Sequence, residues 1–128
     1  MKTSMQQAQI LILIEKSEAS EKLCQLLAGN GHDVFLAHSL HEAFQRAKEK
    51  RPDVIVVGNM FHKHSGLEVC VELRSEIDTC YAGILLIVPV VDNDTLNRAR
   101  EAGVNEIIQI NADNQHLVDR VELLLNRS

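Results

Sequence analysis

The 128-residue chain is poor in aromatic residues, which make up 3% of it and include no tryptophan, and it holds only three cysteines. Its core must therefore be aliphatic. An odd cysteine count without a close pairing pattern does not indicate a disulfide framework, so we expect a reduced, cytoplasmic protein. No apolar run approaches the roughly 20 residues that span a bilayer. The polar first nine residues also lack the apolar stretch of a signal peptide.

Basic residues are in deficit as well. The chain has 13 Lys and Arg against 18 Asp and Glu, a formal net charge of -5. Nucleic-acid binding needs a basic footprint, and docking on an anionic membrane needs clustered Lys and Arg. The charge therefore argues against both kinds of partner and leaves a protein partner open.

Short aliphatic runs alternate with helical patterns along the chain. Such runs of Ile, Leu and Val are typical of strands that are buried on both faces of a parallel sheet. Five of them predict strands: ILILI at 10–14, DVFLA at 33–37, VIVV at 54–57, ILLIV at 84–88 and EIIQI at 106–110. Residues 58–65, after the third run, are expected to form a loop.

Capping residues and apolar spacing predict a helix after each strand. Side-chain oxygens at an N-cap satisfy the free N–H groups of the first turn, and a Ser followed three residues later by Glu forms a capping box. The predicted helix starts are Ser17, Ser39 with Glu42 as its box partner, Gly66, and Asp92 or Asn93. The fourth helix is expected to turn Leu96 and Ala99 inward, and the last helix repeats apolar residues at a spacing of three and four from 117 to 125.

Five strands alternating with five helices predict a parallel sheet covered by helices on both faces. The length suits a flavodoxin-like, doubly wound (βα)5 α/β fold with strand order 2-1-3-4-5. Residues 1–9 are expected to be a flexible lead-in, and residues 10–128 a single domain, since no internal boundary, repeat or low-complexity stretch interrupts them.

The spacing of several segments resembles that of the CheY-like receiver domain of bacterial response regulators. The segments are RPDVIVV at 51–57, the step of eight residues from Gly58 to Gly66, GLEVCVELR after it, and the later pair ILLIV and AREAGVNEII. The resemblance covers about residues 10–126. It implies a part in two-component (phosphorelay) signalling or transcriptional regulation. It also implies a site at the carboxyl ends of the first, third, fourth and fifth strands.

In the family, that site holds two acidic residues for a magnesium ion, an aspartate that accepts a phosphoryl group, a Ser or Thr, and a lysine. Here the acidic pair falls on Ile14 and Glu15, the acceptor on Gly58, the Ser or Thr on Val88 and the lysine on Ile110. Only Glu15 keeps its chemical type. Magnesium needs several oxygen ligands, and a transferring phosphoryl group needs cations around it. The resemblance therefore implies a degenerate pocket without catalytic residue, metal or cofactor.

Three polar residues near this pocket, Asn59, His62 and Asn111, are candidates for contacts with a partner or for hydrogen bonds within the loops. His62 and His64 provide too few ligands for a closed zinc site, which takes four. Cys70 is expected on the inner face of the third helix and is therefore not a further ligand.

These observations predict a pseudo-receiver, not an enzyme, that acts as a phosphorylation-independent interaction module. Its partner would be a sensor kinase, an output domain, another regulator or a second copy of the chain, bound through the fourth helix, fifth strand and fifth helix. The alternative is a small-molecule-binding domain of the same doubly wound fold. No G-x-G-x-x-G follows the first strand, which argues against a dinucleotide as the ligand.

Overall fold

Each predicted aliphatic run forms a strand of one parallel sheet in the computed structural model, which describes residues 7–126 apart from the side chain of Glu18. The sheet contains β1 (Gln9–Leu13), β2 (Asp33–Leu36), β3 (Val54–Val57), β6 (Gly83–Val88) and β7 (Glu106–Gln109). A separate antiparallel hairpin pairs β4 (Met60–Phe61) with β5 (His64–Ser65). The strand order β2-β1-β3-β6-β7 confirms the predicted order 2-1-3-4-5, since β6 and β7 are the predicted fourth and fifth strands.

Five helices connect or follow these strands, and each begins at a side-chain cap. They are α1 (Glu18–Gly29), α2 (Leu40–Lys50), α3 (Gly66–Ser75), α4 (Asn93–Glu101) and α5 (Asn114–Leu125). The N-caps are Ser17, Ser39, Ser65, Asp92 and Asp113, and each accepts a hydrogen bond from the backbone N–H three residues later. The choice between Asp92 and Asn93 as the cap of α4 is therefore settled in favour of Asp92.

The predicted capping box at Ser39 forms only in part. The Ser39 hydroxyl accepts from the Glu42 N–H at 3.1 Å, but the Glu42 carboxylate accepts from the N–H of His38 instead of that of Ser39. The described chain has complete boxes at α1, between Ser17 and Ser20, and at α3, between Ser65 and Glu68. The prediction missed the α3 box because it began that helix at Gly66 without assigning a cap.

The sheet is buried on both faces, as the aliphatic runs predict. Alternate residues of β1, β3 and β6 pack with α2 and α3 on one face, and the intervening residues pack with α1 and α5 on the other. Helix α4 contributes less to the core. Ala99 is buried, but Leu96 is 39% exposed, so the expectation that Leu96 faces inward is wrong. This nine-residue helix has one buried position.

The strand boundaries differ from the predicted ones by about one residue. Ala8 is buried and Gln9 begins β1, so the sheet starts at the last residue of the predicted lead-in, one residue before the predicted strand. Ile14 and Ile110 lie just beyond the ends of β1 and β7. Residues 1–6 of the predicted lead-in, and residues 127–128, lie outside the described part of the chain. Within the described part, no helix is both long enough and apolar enough to cross a bilayer.

Candidate functional site

The carboxyl ends of the sheet strands bring most of the predicted site together. The Gly58 N–H donates to the Leu13 carbonyl at 3.0 Å, and the Ile110 N–H donates to the Val88 carbonyl at 2.8 Å. Both bonds extend the ladders past the ends of the strands. Ile14, Glu15, Gly58, Asn59 and Ile110 consequently line one cavity of about 440 Å³, which we call the carboxyl-edge cavity.

The carboxyl-edge cavity lies between the first turns of α1 and α5. Its apolar walls include Ile14, Leu23, Ile87, Ala112 and Leu117. Residues with hydroxyl or amide side chains also line it: Ser17, Ser20, Asn59, Gln109 and Asn114. A site of this kind resembles an ordinary small-molecule pocket more than a site for a phosphoryl group, which needs concentrated charge.

Val88 belongs to a different part of the molecule. It is 4% exposed and packs with the core on the α2–α3 face of the sheet. There it lines a smaller cavity of about 150 Å³ together with Asn59 and Thr95. Asn59 therefore touches both cavities, whereas Val88 does not reach the carboxyl-edge cavity. The four positions predicted for one degenerate pocket divide between two spaces.

Gly58 has no conformational need to be glycine, because its φ is not positive. A Cβ atom at this position would lie 3.5 Å from the side chain of Ile14 and from the Met60 carbonyl oxygen, which is ordinary van der Waals contact. The end of β3 thus has room for the first atom of a side chain. Gly58 therefore lacks a side chain, although there is space for the Cβ atom of one.

Gly66, in contrast, is required by close packing. A Cβ atom at Gly66 would lie 2.5 Å from a methyl carbon of Leu86 and would overlap the carbonyl oxygen of Gly58. The Gly66 N–H donates to the Asn59 carbonyl at 2.7 Å. The first turn of α3 is therefore packed directly on the end of β3, and this contact fixes the backbone of the site.

The segment predicted as a loop, 58–65, contains the β4–β5 hairpin, which the prediction did not include. The hairpin is ordered by Phe61, which is buried in the core on the α2–α3 face, while residues 62–64 are exposed. A phenylalanine in a largely polar stretch of a chain with few aromatic residues was the available signal. At the tip, His62 adopts a positive φ of 58°.

Glu15, the retained acid, binds this hairpin. Its Oε2 accepts a hydrogen bond from the backbone N–H of His62 at 3.2 Å. The contact joins the end of β1 to the hairpin tip. At the other end of the hairpin, the Ser65 N–H donates to the Glu68 carboxylate at 3.0 Å. Hydrogen bonds from Ser65 lower the pKa of Glu68. The bond from the backbone N–H has the larger effect, and the bond from the hydroxyl has the smaller one.

His62 lines a second cavity of about 430 Å³ on the α1–β2 side of Glu15, together with Cys24 and His38. Burial raises the pKa of the Cys24 thiol, and the nearby Glu21 carboxylate adds to the rise. Among residues 7–126, no group of three or more His, Cys, Asp and Glu side chains is placed to hold a metal ion. Asn111 is exposed in the turn after β7 and lines neither this cavity nor the carboxyl-edge cavity.

A magnesium ion of the kind that receivers bind does not fit this edge of the sheet. The carboxyl-edge cavity has one carboxylate in its lining, that of Glu15, and this group already accepts from His62. Magnesium in proteins is held by near-octahedral oxygen ligands, with carboxylates and substrate phosphates among them. The aliphatic side chains of Ile14 and Ile110 offer no such ligand.

Comparison with known proteins agrees with the fold. The family model of the response regulator receiver domain matches residues 10–122. The response regulator MprA of Mycobacterium ulcerans is 30% identical over 122 residues, which make up 93% of this chain and 50% of that protein. The chain thus spans about half the length of the relatives that it matches.

Solved structures show the same likeness. A two-component response regulator from Clostridium difficile superposes with a TM-score of 0.81 at 21% identity, over 94% of this chain and 98% of that chain. The chemotaxis protein CheY4 of Vibrio cholerae superposes with a TM-score of 0.83 at 17% identity, over 93% and 99% of the respective chains. Identities this low support the shared fold alone.

Proposed function

Because the chain belongs to the response regulator receiver domain family, we propose that it is a phosphorylation-independent receiver, a protein-interaction module of two-component signalling. The observation that carries the proposal is Gly58. It lies directly after β3, where the family pattern places the phosphoryl-accepting aspartate, and it has no side chain. Without a carboxylate oxygen at this point, no acyl phosphate can form there.

The residues around Gly58 support the same proposal. Ile14 and Ile110 are aliphatic where the pattern has an acid and a lysine, so the cations that stabilise a transferring phosphoryl group are missing from the cavity lining. Glu15 is engaged by the hairpin. Asp53 does not substitute as an acceptor, because it precedes β3 at the amino edge of the sheet, where its carboxylate accepts from the Gln9 N–H at 2.8 Å.

In this proposal, the domain binds its partner through a surface that does not change conformation, and not through a pocket that phosphorylation switches. The β3–α3 connection is held by the Glu15–His62 hydrogen bond, the buried ring of Phe61 and the contact of Gly66 with Gly58. A partner would meet the same conformation at all times. We propose no catalytic activity and no cofactor for this domain, which we take to extend over residues 10–128 in a cytoplasmic protein.

The surface that we propose for a partner is the face formed by α4, β7 and α5. Leu96 on α4, Ile110 after β7 and Leu123 on α5 are all exposed apolar side chains. Arg98 pairs with Asp94 at 3.3 Å on the exposed side of α4. Apolar groups bordered by charged ones are typical of protein interfaces. Sensor kinases, output domains, other regulators and a second copy of this chain are the candidate partners.

The test of phosphorylation independence uses acetyl phosphate and magnesium chloride. We expect no stoichiometric phosphoryl adduct by intact-mass measurement and an unchanged amide NMR spectrum. A stable adduct on any carboxylate of the carboxyl edge, with accompanying shifts at Gly58 and Ile110, would overturn the proposal. An adduct elsewhere with no shift at this edge would leave the receiver site unmodified, as proposed.

The partner face is tested by self-association, which needs no other protein. Sedimentation of the wild-type chain is compared with Leu96→Ser and Leu123→Ser, and with Val71→Ser as the control. Val71 is an exposed apolar residue of α3, outside the proposed face. We expect the first two substitutions to shift any dimer toward monomer and the control to leave it unchanged. Dissociation by the control alone would contradict the proposed face.

A further inference from the structure

We propose that the carboxyl-edge cavity binds an uncharged, largely apolar small molecule. Its volume of about 440 Å³ lies within the range of roughly 300–1,000 Å³ that is usual for ligand pockets. Such pockets combine apolar walls with a few polar groups that orient the ligand. This site has both, and they lie at the strand ends, where doubly wound folds bind ligands.

The apolar walls come from four elements. Ile14 follows β1, Leu23 lies on α1, Ile87 on β6 and Leu117 on α5. Met60 and Ile110 also line the cavity but are 46% and 60% exposed, which places them at its opening. A molecule that enters would remove these exposed side chains from water, and this burial contributes favourably to binding.

The charge of the lining favours a neutral ligand. Glu15 is the one ionisable side chain among the described lining residues. An anion would meet its carboxylate with no Lys or Arg to compensate, and a cation would find no second carboxylate. The amides of Asn59, Gln109 and Asn114 can each donate and accept a hydrogen bond without charge. They suit a hydroxyl, carbonyl or ring N–H on an otherwise apolar molecule.

This inference rests on the proposed function in one respect, that phosphoryl chemistry does not occupy the site. The two still fail separately, because phosphorylation is measured by mass and ligand binding by NMR. A negative binding result would leave the phosphorylation-independent receiver intact. A phosphoryl adduct would remove the proposed function whether or not a neutral molecule also binds.

The experiment titrates the full chain with indole, a neutral aromatic probe with one N–H donor, and separately with inorganic phosphate. We expect saturable amide shifts from indole that centre on Gly58, Gln109, Ala112 and Leu117, and none from phosphate. Ala19→Phe fills the cavity from α1, at an exposed lining residue, and should weaken indole binding by about tenfold or more.

The matched control is Ala28→Phe. It makes the same change on the same helix at an exposed residue that lies outside the cavity lining. We expect it to bind indole like the wild type. The inference would be overturned if indole caused the same amide shifts in Ala19→Phe as in the wild type. It would also be overturned if phosphate shifted the amides of the cavity. Amide shifts at the cavity that depend on protein concentration in the absence of indole would also overturn it, because they would identify a second copy of the chain as the occupant.

Discussion

A Cβ atom at Gly58 would lie 3.5 Å from both γ-carbons of Ile14. These two residues stand where the receiver pattern has the phosphoryl acceptor and an acidic magnesium ligand. Their spacing is that of ordinary apolar contact, and the strand ends around them are paired as the fold requires. Hydrocarbon at Ile14 and a position without a side chain at Gly58 therefore stand at the strand ends where the receiver pattern has carboxylates.

The two glycines of the site should respond differently to a single methyl group. Gly58→Ala should change the free energy of unfolding by no more than about 0.5 kcal/mol, since its Cβ meets neighbours at ordinary distance. Gly66→Ala should cost about 1–3 kcal/mol, because its Cβ would overlap the Gly58 carbonyl and crowd Leu86. Urea unfolding of both variants measures the difference. Equal costs would refute the close packing at Gly66.

Arg74 should be the main polar anchor at the amino edge of the sheet. Its guanidinium donates to the carbonyls of Cys80, Ala82 and Gly103 and to the side chain of Asn105, at 2.7–2.9 Å. Arg74→Met should lower the free energy of unfolding by on the order of 2–4 kcal/mol, because it leaves several acceptors without this donor.

Two comparisons identify the cause. Arg74→Lys should recover only a minor part of the loss, since an ammonium group lacks the planar fork that reaches acceptors on several segments. Arg100→Met, on the exposed side of α4, should change stability by about 0.5 kcal/mol or less. A loss as large for Arg100→Met would mean that removal of a charge, not of the bonds, is responsible.

Glu15 should hold the tip of the hairpin without adding much to global stability. Its hydrogen bond to the His62 N–H is exposed to solvent, so Glu15→Ala should cost less than about 1 kcal/mol in unfolding. Amide exchange at His62 should nevertheless accelerate, while Glu15→Gln, which keeps an acceptor oxygen, should exchange close to the wild-type rate. Hydrogen exchange followed by NMR gives both rates; equal rates for all three proteins would contradict the contact.

The three thiols should react in the order Cys80, Cys24, Cys70. Cys80 is exposed, Cys24 is partly buried and Cys70 is buried. Burial raises the pKa of Cys24 and raises that of Cys70 to about 12, so at neutral pH both hold less of the reactive thiolate than an ordinary cysteine. Iodoacetamide at pH 8 should add one label quickly, and Cys80→Ser should abolish that fast phase. A fast label on Cys70 would show that the core opens.

The fold was predictable from the sequence because strand and helix signals agree along the whole chain. The runs at 54–57 and 84–88 are buried strands in the structure, and the step from Gly58 to Gly66 places α3 where predicted. The hairpin was missed because β4 and β5 have two residues each, too few for any periodicity. Leu96 was misplaced because one helical repeat does not show how closely a helix approaches the sheet.

The sequence predicted only in part which of the candidate site positions lie together. Ile14, Gly58 and Ile110 meet around one cavity as the strand ends require, whereas Val88 points into the opposite face of the sheet. The direction in which a strand's last side chain points depends on register, and register follows from pairing across the sheet rather than from the local sequence. Nothing in the sequence predicted the hydrogen bond from the His62 N–H to Glu15.

We propose that the side chains at the strand ends, and not the fold, keep this receiver domain from accepting a phosphoryl group. The most direct measurement compares the wild type with the variant I14D/G58D/I110K, which restores the family's residues at the three positions that line the carboxyl-edge cavity, after treatment with acetyl phosphate and magnesium, using intact mass. Circular dichroism first establishes that the variant is folded. We predict no adduct on the wild type and a magnesium-dependent phosphoryl adduct on the variant. A stoichiometric adduct on the wild type, or a folded variant that stays unmodified, would contradict the account.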